Sequence, residues 1–209
     1  EILKGPRRYG LLMASRWPLN ILDQEGLEMP WPERLLSVLV NHPQIDVEFH
    51  VAHIPPGSSH SWLKIDTFNG IHDYLAENPY GNPRILCGDF NSPQAETENG
   101  QVVTWGQEIT AEGEVLTPED DRWHKGEYSV IKGLEKSGLV DTFRLLNGYQ
   151  AQEYSFVVKR KGKIVSRRRF DHIFASKRLN PVRCEYLHEL RKSGLSDHSA
   201  IEADFDLDQ

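Results

Sequence analysis

Arg84-Ile85-Leu86-Cys87-Gly88-Asp89-Phe90-Asn91 is the stretch of sequence that decides the fold. Residues 85–87 are apolar at successive positions, a pattern typical of a strand that is buried on both faces of a sheet. The stretch then places a glycine, an aspartate and an asparagine where the strand ends, and these residues favour turns. Alternate residues of an extended chain point the same way, so Asp89 and Asn91 share one side. We therefore expect a buried strand over residues 84–89 with a carboxylate and a carboxamide at its end.

Two later runs supply groups that the first stretch lacks. Phe170-Asp171-His172-Ile173 carries a carboxylate, and Leu195-Ser196-Asp197-His198-Ser199 carries a carboxylate beside an imidazole. Such groups at strand ends suit the cutting of a phosphate ester with Mg²⁺ or Mn²⁺, because hard cations prefer oxygen ligands. Asp197 and Asp89 are the candidate metal ligands. Asp171 is the candidate partner that fixes the tautomer of His198.

Each run also has a plain structural interpretation. The sequence from Gly88 to Asn91 can be only a turn, and Ser196-Asp197 can cap or turn a segment. Asp171 can be an ion-pair partner of Arg169. The catalytic interpretation is favoured because all three runs occur in one chain, each at or beside the end of a predicted strand.

Hydrophobic periodicity predicts many strands and few helices. Helices are expected from the serine-rich segment at 58–61 to about residue 78 and over 127–136, with a long polar loop over 92–125. Hairpins at 41–43 and 161–162 favour mixed or antiparallel sheets flanked by helices, rather than a doubly wound parallel sheet. Strands are expected at 9–14, 34–40, 46–53, 84–89, 155–158, 164–175 and 199–205.

Length and composition indicate one domain over residues 1–209. Hydrophobic residues make up 38% and charged residues 26% of the chain, which is ordinary for a globular protein. No apolar run approaches the roughly 20 residues of a membrane span, so no membrane association is expected. Cys87 and Cys184 are too few for a disulfide framework, which favours a reduced, cytoplasmic protein. We predict a monomer.

The charge is unevenly distributed along the chain. The net charge is −7, yet residues 159–169 contain a dense basic cluster that leads directly into Asp171. Such a segment can clamp a phosphate backbone, although a basic hairpin can also be merely solvated. Aromatic side chains can stack on unpaired bases or simply belong to the core. The candidate nucleic-acid contacts are Lys159, Arg160, Lys161, Arg167 and Arg168, and the candidate stacking groups are Trp62, Trp105, Trp123 and Tyr154.

Taken together, these motifs resemble the endonuclease/exonuclease/phosphatase superfamily, which includes deoxyribonuclease I, exonuclease III and abasic-site endonucleases. The motifs most resemble those of exonuclease III and abasic-site endonucleases, and the resemblance extends from about Gly10 to the C-terminus. It implies an α/β (α+β) fold, a four-layer α-β-β-α sandwich of two mixed, mostly antiparallel sheets with the site at one edge. The segments that carry the resemblance are 51–55, 85–91, 138–144, 169–176 and 194–199.

The resemblance also implies roles for individual residues. Asp89 would orient or deprotonate the attacking water, and Asn91 would bind a phosphate oxygen. Asp197 would help to hold the metal. His198, paired with Asp171, would stabilise the charged transition state or act as acid and base. His53 lies where relatives carry a histidine or tyrosine that contacts the phosphate or leaving group, although it can also be a structural histidine at a strand end.

The sequence departs from the family pattern at its N-terminus. Relatives carry an asparagine and a metal-binding glutamate well upstream of the segment that matches 9–15, and Glu1 lies too close to that segment to take the role. We therefore expect the domain to be N-terminally incomplete, to lack the N-terminal strands of its sheet, and to bind metal poorly as it stands.

Three functions follow as hypotheses. The first is a metal-dependent DNA endonuclease or exonuclease of the repair type. The second is a phosphatase or phosphodiesterase that acts on a small molecule or a lipid headgroup, which the negative net charge favours. The third is a binding module that kept the fold without catalysis, which the presence of every site residue from Asp89 to His198 disfavours.

Overall fold

The computed structural model describes residues 10–24, 26–76 and 81–207. In chain order the strands are β1 (Leu19–Ile21), β2 (Leu35–Asn41), β3 (Asp46–His53), β4 (Arg84–Asp89), β5 (Ala95–Glu96), β6 (Val102–Val103), β7 (Glu108–Ile109), β8 (Val115–Leu116), β9 (Leu139–Asp141), β10 (Phe156–Arg160), β11 (Lys163–Arg168), β12 (Asp171–Ser176), β13 (Pro181–Leu187) and β14 (Ala200–Phe205). The α-helices are α1 (Gly57–His60), α2 (Leu63–Ala76), α3 (Arg122–Ile131), α4 (Thr142–Asn147) and α5 (Glu189–Lys192).

Six strands form the main sheet in the order β1-β2-β3-β4-β12-β9. Strands β3 and β4 are parallel, and the other neighbours are antiparallel. The predicted strand at 84–89 is β4, which lies inside the sheet as its apolar sequence predicts. The hairpin at 41–43 joins β2 to β3, as predicted.

Both faces of this sheet are covered. On one face Leu86, Phe90 and Phe174 form a buried core with apolar residues of α2 and α3. On the other face Ile85 and Ala175 are buried, with Phe205 of β14 packed against them. Strands β13 and β14 form a separate antiparallel pair on that side, and α4 packs against β13. The predicted mixed α/β architecture of helices and sheets is confirmed.

Several local predictions were wrong. Residues 10–14 form no strand, because no described strand pairs with them, and Leu12 is 88% exposed; residue 9 lies outside the described range. The loop predicted over 92–125 contains two small hairpins, β5–β6 and β7–β8, and the first turn of α3. Sequence reasoning placed the start of α3 five residues late and missed β13 and α4.

Candidate active site

The ends of three neighbouring strands position the central side chains. In the sheet register, Asp89 on β4 lies opposite His53 on β3 and opposite Asp171 on β12. Side chains at the same level of adjacent strands lie close together. The three residues therefore share one edge of the sheet, as the sequence predicted. With Asp197 and His198 they line an open cleft of about 430 Å³.

The end of β4 and the turn that follows it have a fixed shape. Gly88 has a φ of 136°, and a Cβ there would lie 1.9 Å from the carbonyl oxygen of Ala52, so only glycine fits. The Asp89 carboxylate accepts hydrogen bonds from the backbone nitrogen of Asn91 at 2.8 Å and from its Nδ2 at 3.0 Å. Asn91 also donates from Nδ2 to the carbonyl of Ile54 at 2.9 Å. Its predicted phosphate contact therefore requires one of these side-chain bonds to be exchanged.

His198 is held by Asp171. Its Nδ1 lies 2.7 Å from Asp171 Oδ2, which leaves Nε2 for a ligand in the cleft. The Phe156 ring packs on the imidazole with centroids 4.8 Å apart, and an isolated bridge joins the backbones of Phe156 and His198. The loop that carries His198 is thus fastened to the first residue of β10.

His53 has a partner that sequence reasoning missed. Arg34 places Nη1 2.7 Å from His53 Nδ1. Because a guanidinium only donates, Nδ1 accepts and the proton is on Nε2, which lies 3.8 Å from Asp89 Oδ2. Burial, followed by the positive charge of Arg34, lowers the pKa of His53 to about 4. His53 therefore faces the cleft as a neutral hydrogen-bond donor at pH 7.

The electrostatics of the cleft favour a bound cation. Burial, with the charge of Asp171, raises the pKa of Asp89 to about 7. Burial alone would lower the pKa of His198, but the hydrogen bond and charge of Asp171 raise it. Two carboxylates that repel each other in a half-buried cleft are stabilised when a positive charge lies between them.

The donor set fits a divalent metal ion. Asp89, Asp171 and His198 each offer a ligand atom within 4.8 Å of those of the other two. Carboxylate oxygens suit Mg²⁺, and an added imidazole nitrogen also suits Mn²⁺. Asp197 lines the same cleft but lies outside this trio.

A buried ion pair supports the turn from behind. Lys64 Nζ lies 2.7 Å from Glu127 Oε1, with side chains 1% and 0% exposed, and it donates to the carbonyl of Asn91 at 2.9 Å. Trp105 Nε1 donates to the same carbonyl at 3.1 Å. The sequence carried one signal for this pair, because Lys64 falls on the apolar stripe of α2 that includes Phe68.

Arg169 is not the partner of Asp171. It forms ion pairs with Glu96 at 2.6 Å and with Asp141 at 2.7 Å, and Arg144 pairs with Glu96 at 2.8 Å. The alternative interpretation, in which Asp171 only forms an ion pair with Arg169, is therefore wrong. This buried network instead joins β5, α4, β9 and the residue before Phe170.

The predicted nucleic-acid contacts lie on a two-strand ribbon formed by β10 and β11, which we call the basic ribbon. Lys159, Arg160, Lys161 and Arg167 are exposed and Arg168 is half-buried. Arg168 lies 5.5 Å from the centre of the Trp105 ring. The ribbon begins at Phe156, beside His198, so its base lies at the rim of the cleft.

The candidate stacking residues are divided between two places. Trp105 and Trp123 line a cavity next to the cleft, and Trp62 packs on Trp123 with ring centroids 5.3 Å apart. Tyr154 instead packs against Arg167 and Arg191.

The profile of the Endonuclease/Exonuclease/phosphatase family matches residues 4–198, which is most of the sequence. The chain belongs to this family. No curated protein sequence matches it. Among the described residues, no helix is both long and apolar enough to cross a bilayer.

Solved structures of family members share the fold. The 3′ phosphatase NExo from Neisseria, bound to a product DNA hairpin, has a TM-score of 0.59 at 16% identity over 90% of this chain and 70% of its own. AP endonuclease LMAP from Leishmania major has a TM-score of 0.55 at 15% identity over 81% of this chain and 53% of its own. A family protein from Leptotrichia buccalis has a TM-score of 0.51 at 19% identity over 82% of this chain and 53% of its own. The chain thus spans about half the length of two of these structures.

Proposed function

We propose that this chain is a divalent-metal-dependent phosphodiester hydrolase that cuts DNA in repair, as an endonuclease or exonuclease. The observation that carries the proposal is the convergence of Asp89, Asp171 and His198 on one cleft, with ligand atoms within 4.8 Å of one another. Family membership supports hydrolysis of a phosphate ester. The basic ribbon at the rim of the cleft supports a nucleic-acid substrate.

The residues of the cleft can divide the chemistry between them. Asp89 and Asp171, with Asp197 nearby, would hold the divalent cation, which when bound offsets the phosphate charge and promotes ionisation of water. Asp89 would orient the attacking water through its carboxylate. His198, held by Asp171, would stabilise the charge that develops on the phosphate oxygens. His53 would donate from Nε2 to the phosphate or to the leaving oxygen.

The test is Mg²⁺-dependent nicking of plasmid DNA and of DNA with an abasic site. The activity is expected to be lost in Asp89→Ala and in His198→Ala. Matched controls are Asp73→Ala and His72→Ala, which change the same residue types on α2. Nicking that persists in both site variants would contradict the proposal.

A small phosphoester is the second candidate substrate, because the net charge of −7 is unfavourable for a polyanion outside the basic ribbon. Release of inorganic phosphate from small substrates without DNA cleavage would favour it. If the chain binds Mg²⁺ but neither cleaves DNA nor releases phosphate, a binding module is the hypothesis that remains. Mg²⁺ titration of the same chain tests the expectation that it binds metal poorly.

A further inference from the structure

The loop that carries His198 has a hydrogen-bonded support behind it. The support starts at the next residue, Ser199, which is 1% exposed. The Ser199 hydroxyl oxygen accepts from Arg191 Nε at 3.0 Å and lies 2.8 Å from His188 Nδ1. The other ring nitrogen, His188 Nε2, lies 3.0 Å from Glu153 Oε2. We call these four residues the loop anchor, and none of them takes part in the proposed hydrolysis.

The hydrogen bonds of the loop anchor run in one direction. A guanidinium only donates, so the Ser199 oxygen accepts from Arg191, and the single hydrogen of the hydroxyl is left for another acceptor. Nδ1 of a neutral His188 is that acceptor. The hydrogen of the imidazole is then on Nε2, which donates to Glu153. A cation at one end and a carboxylate at the other polarise the bonds between them and strengthen the chain.

Aromatic packing holds the loop anchor in place. The Tyr154 ring stacks on His188 with ring centroids 4.8 Å apart. The guanidinium carbon of Arg191 lies 5.3 Å from the centre of the same Tyr154 ring. Arg191 lies in α5, and His188 directly precedes this helix. The two groups that bond to the Ser199 hydroxyl are therefore both held by α5 and Tyr154.

The backbone of Ser199 is tied to the strand that carries Asp171. The Ser199 nitrogen donates to the carbonyl of Ser155 at 2.8 Å. The Ser155 hydroxyl oxygen accepts from the backbone nitrogens of Phe170 at 3.0 Å and Asp171 at 3.1 Å. Ser155 thus connects the start of β12 to the end of the loop. The 2.7 Å contact between Asp171 and His198 depends on this connection as well as on the pair itself.

We propose that Ser199 is a positioning residue that sets the place of the His198 ring, with the other members of the loop anchor acting through it. The catalytic part of the proposal rests on the proposed function. Ser199 does not line the cleft, so its effect on the chemistry passes through the loop. Without its hydroxyl, Arg191 and His188 lose their shared partner, and the His198 ring shifts relative to Asp171. Outer partners of this kind contribute about 10- to 100-fold in activity.

The test removes the loop anchor at two points. Ser199→Ala deletes the hydroxyl, whereas His188→Phe keeps a ring on Tyr154 but deletes both ring nitrogens. NMR of the ¹⁵N-labelled histidine rings, recorded without metal, reports on His198, whose signals are those that disappear in His198→Ala. These signals should shift in both variants, because the contact between His198 Nδ1 and Asp171 changes.

Ser193→Ala is the matched control. Ser193 is an exposed serine just after α5 whose hydroxyl donates to the carbonyl of Leu190 at 3.0 Å. Its removal leaves every hydrogen bond of the loop anchor intact. The His198 signals and the cleavage kinetics should therefore remain those of the wild type.

Cleavage kinetics supply the second readout. In Ser199→Ala and in His188→Phe, kcat for Mg²⁺-dependent DNA cleavage should fall by about 10- to 100-fold. KM should stay within about twofold, because a displaced His198 ring stabilises the transition state less while substrate binding is retained. A purely structural role would lower the free energy of unfolding and leave kcat of the folded variants unchanged.

Unshifted His198 signals in both variants, or wild-type kcat in both, would overturn the proposal. Should Ser199→Ala fail to fold, as judged by its amide spectrum, His188→Phe decides by itself. If the wild type cleaves no phosphate ester, the proposed hydrolysis fails. The His198 signals then decide the positioning role alone, since shifted signals support it and unshifted signals overturn it.

Discussion

At the scale of single residues, the cleft depends on pairs that orient one another. Asp171 fixes the ring of His198 at 2.7 Å, while Asn91 donates one hydrogen bond to each oxygen of the Asp89 carboxylate. Each side chain would be an ordinary polar group by itself. Together they hold their oxygen and nitrogen atoms ready for a cation and a phosphate, so that little rearrangement is needed on binding.

The first prediction concerns the Asp171–His198 pair. Asp171→Asn removes the charge that orients and stabilises the His198 imidazolium, so kcat for Mg²⁺-dependent DNA cleavage should fall by about 10²- to 10⁴-fold. Steady-state cleavage kinetics measure the effect. Asp66→Asn, an exposed carboxylate on α2, is the control and should leave kcat within twofold. Wild-type kcat in Asp171→Asn would show that the pair is not used.

The second prediction concerns the close approach of β3 and β4. Gly88→Ala would place a Cβ 1.9 Å from the Ala52 carbonyl oxygen at a positive φ, so the free energy of unfolding should fall by about 2–4 kcal/mol. Denaturant titration measures it. Gly10→Ala, where a Cβ meets nothing within 4 Å, should change it by less than about 0.5 kcal/mol. Equal stability of the two variants would contradict this packing.

At the scale of elements, a buried ion network joins segments that lie far apart in sequence. Glu96 on β5 accepts from Arg169 and Arg144, and Asp141 at the end of β9 accepts from Arg169 and from His172. His172 in turn bonds to the carbonyl of Ser92 at 2.8 Å. The network thereby ties β5, α4, β9, β12 and the turn after β4 together.

The third prediction concerns Glu96, whose side chain is 4% exposed. Burial would raise the pKa of Glu96, but Arg169 and Arg144 lower it to about 2. Because the folded pKa lies below the ordinary 4.5, this carboxylate stabilises the fold above pH 4.5 and loses the effect as the pH falls toward 2. The contribution is about 3 kcal/mol.

Glu96→Gln tests this contribution by urea unfolding at several pH values. The variant should be less stable than the wild type by about 3–5 kcal/mol at pH 7, because two buried arginines lose a charged partner. Its stability should also change less between pH 4.5 and pH 2. Glu98→Gln, at a neighbouring exposed glutamate, is the control. Parallel pH profiles for the wild type and Glu96→Gln would refute the assignment.

At the scale of the whole molecule, the net charge is negative, but the basic ribbon carries a dense group of positive charges. The net charge of −7 repels a polyanion in general, whereas the basic ribbon beside His198 attracts it. A DNA strand would therefore approach along the basic ribbon and reach the cleft at the base of the ribbon.

The fourth prediction concerns the positive charge of the basic ribbon. Lys159→Gln combined with Lys161→Gln should weaken DNA binding and reduce the slope of log K against log salt by about 1–2, because each lost phosphate contact removes about 0.7–0.9. Fluorescence anisotropy at several salt concentrations measures the slope. Lys136→Gln combined with Lys177→Gln removes two exposed charges near the opposite end of β12 and should leave the slope unchanged. Identical slopes in both double variants would show that the basic ribbon makes no phosphate contacts with DNA.

The sequence by itself determined the strands that carry the site. Strands β3 and β4 and the turn after Asp89 follow from local alternation, an apolar run and turn-forming residues, which act over a few positions of the chain. The convergence of Asp89, Asp171 and His198 was predicted from the motifs together and agrees with the geometry of the cleft.

Only the tertiary structure decided the partners of these residues. Arg34 pairs with His53, Lys64 is buried against Glu127, and Arg169 pairs with Glu96. The partners are between 19 and 73 residues apart in the chain. Hydrophobic periodicity predicts which face of an element is apolar. It does not predict which distant charged residue will form an ion pair with a buried charged residue. Those choices depend on how the layers pack, because a buried charge is stable only where the fold brings it a partner.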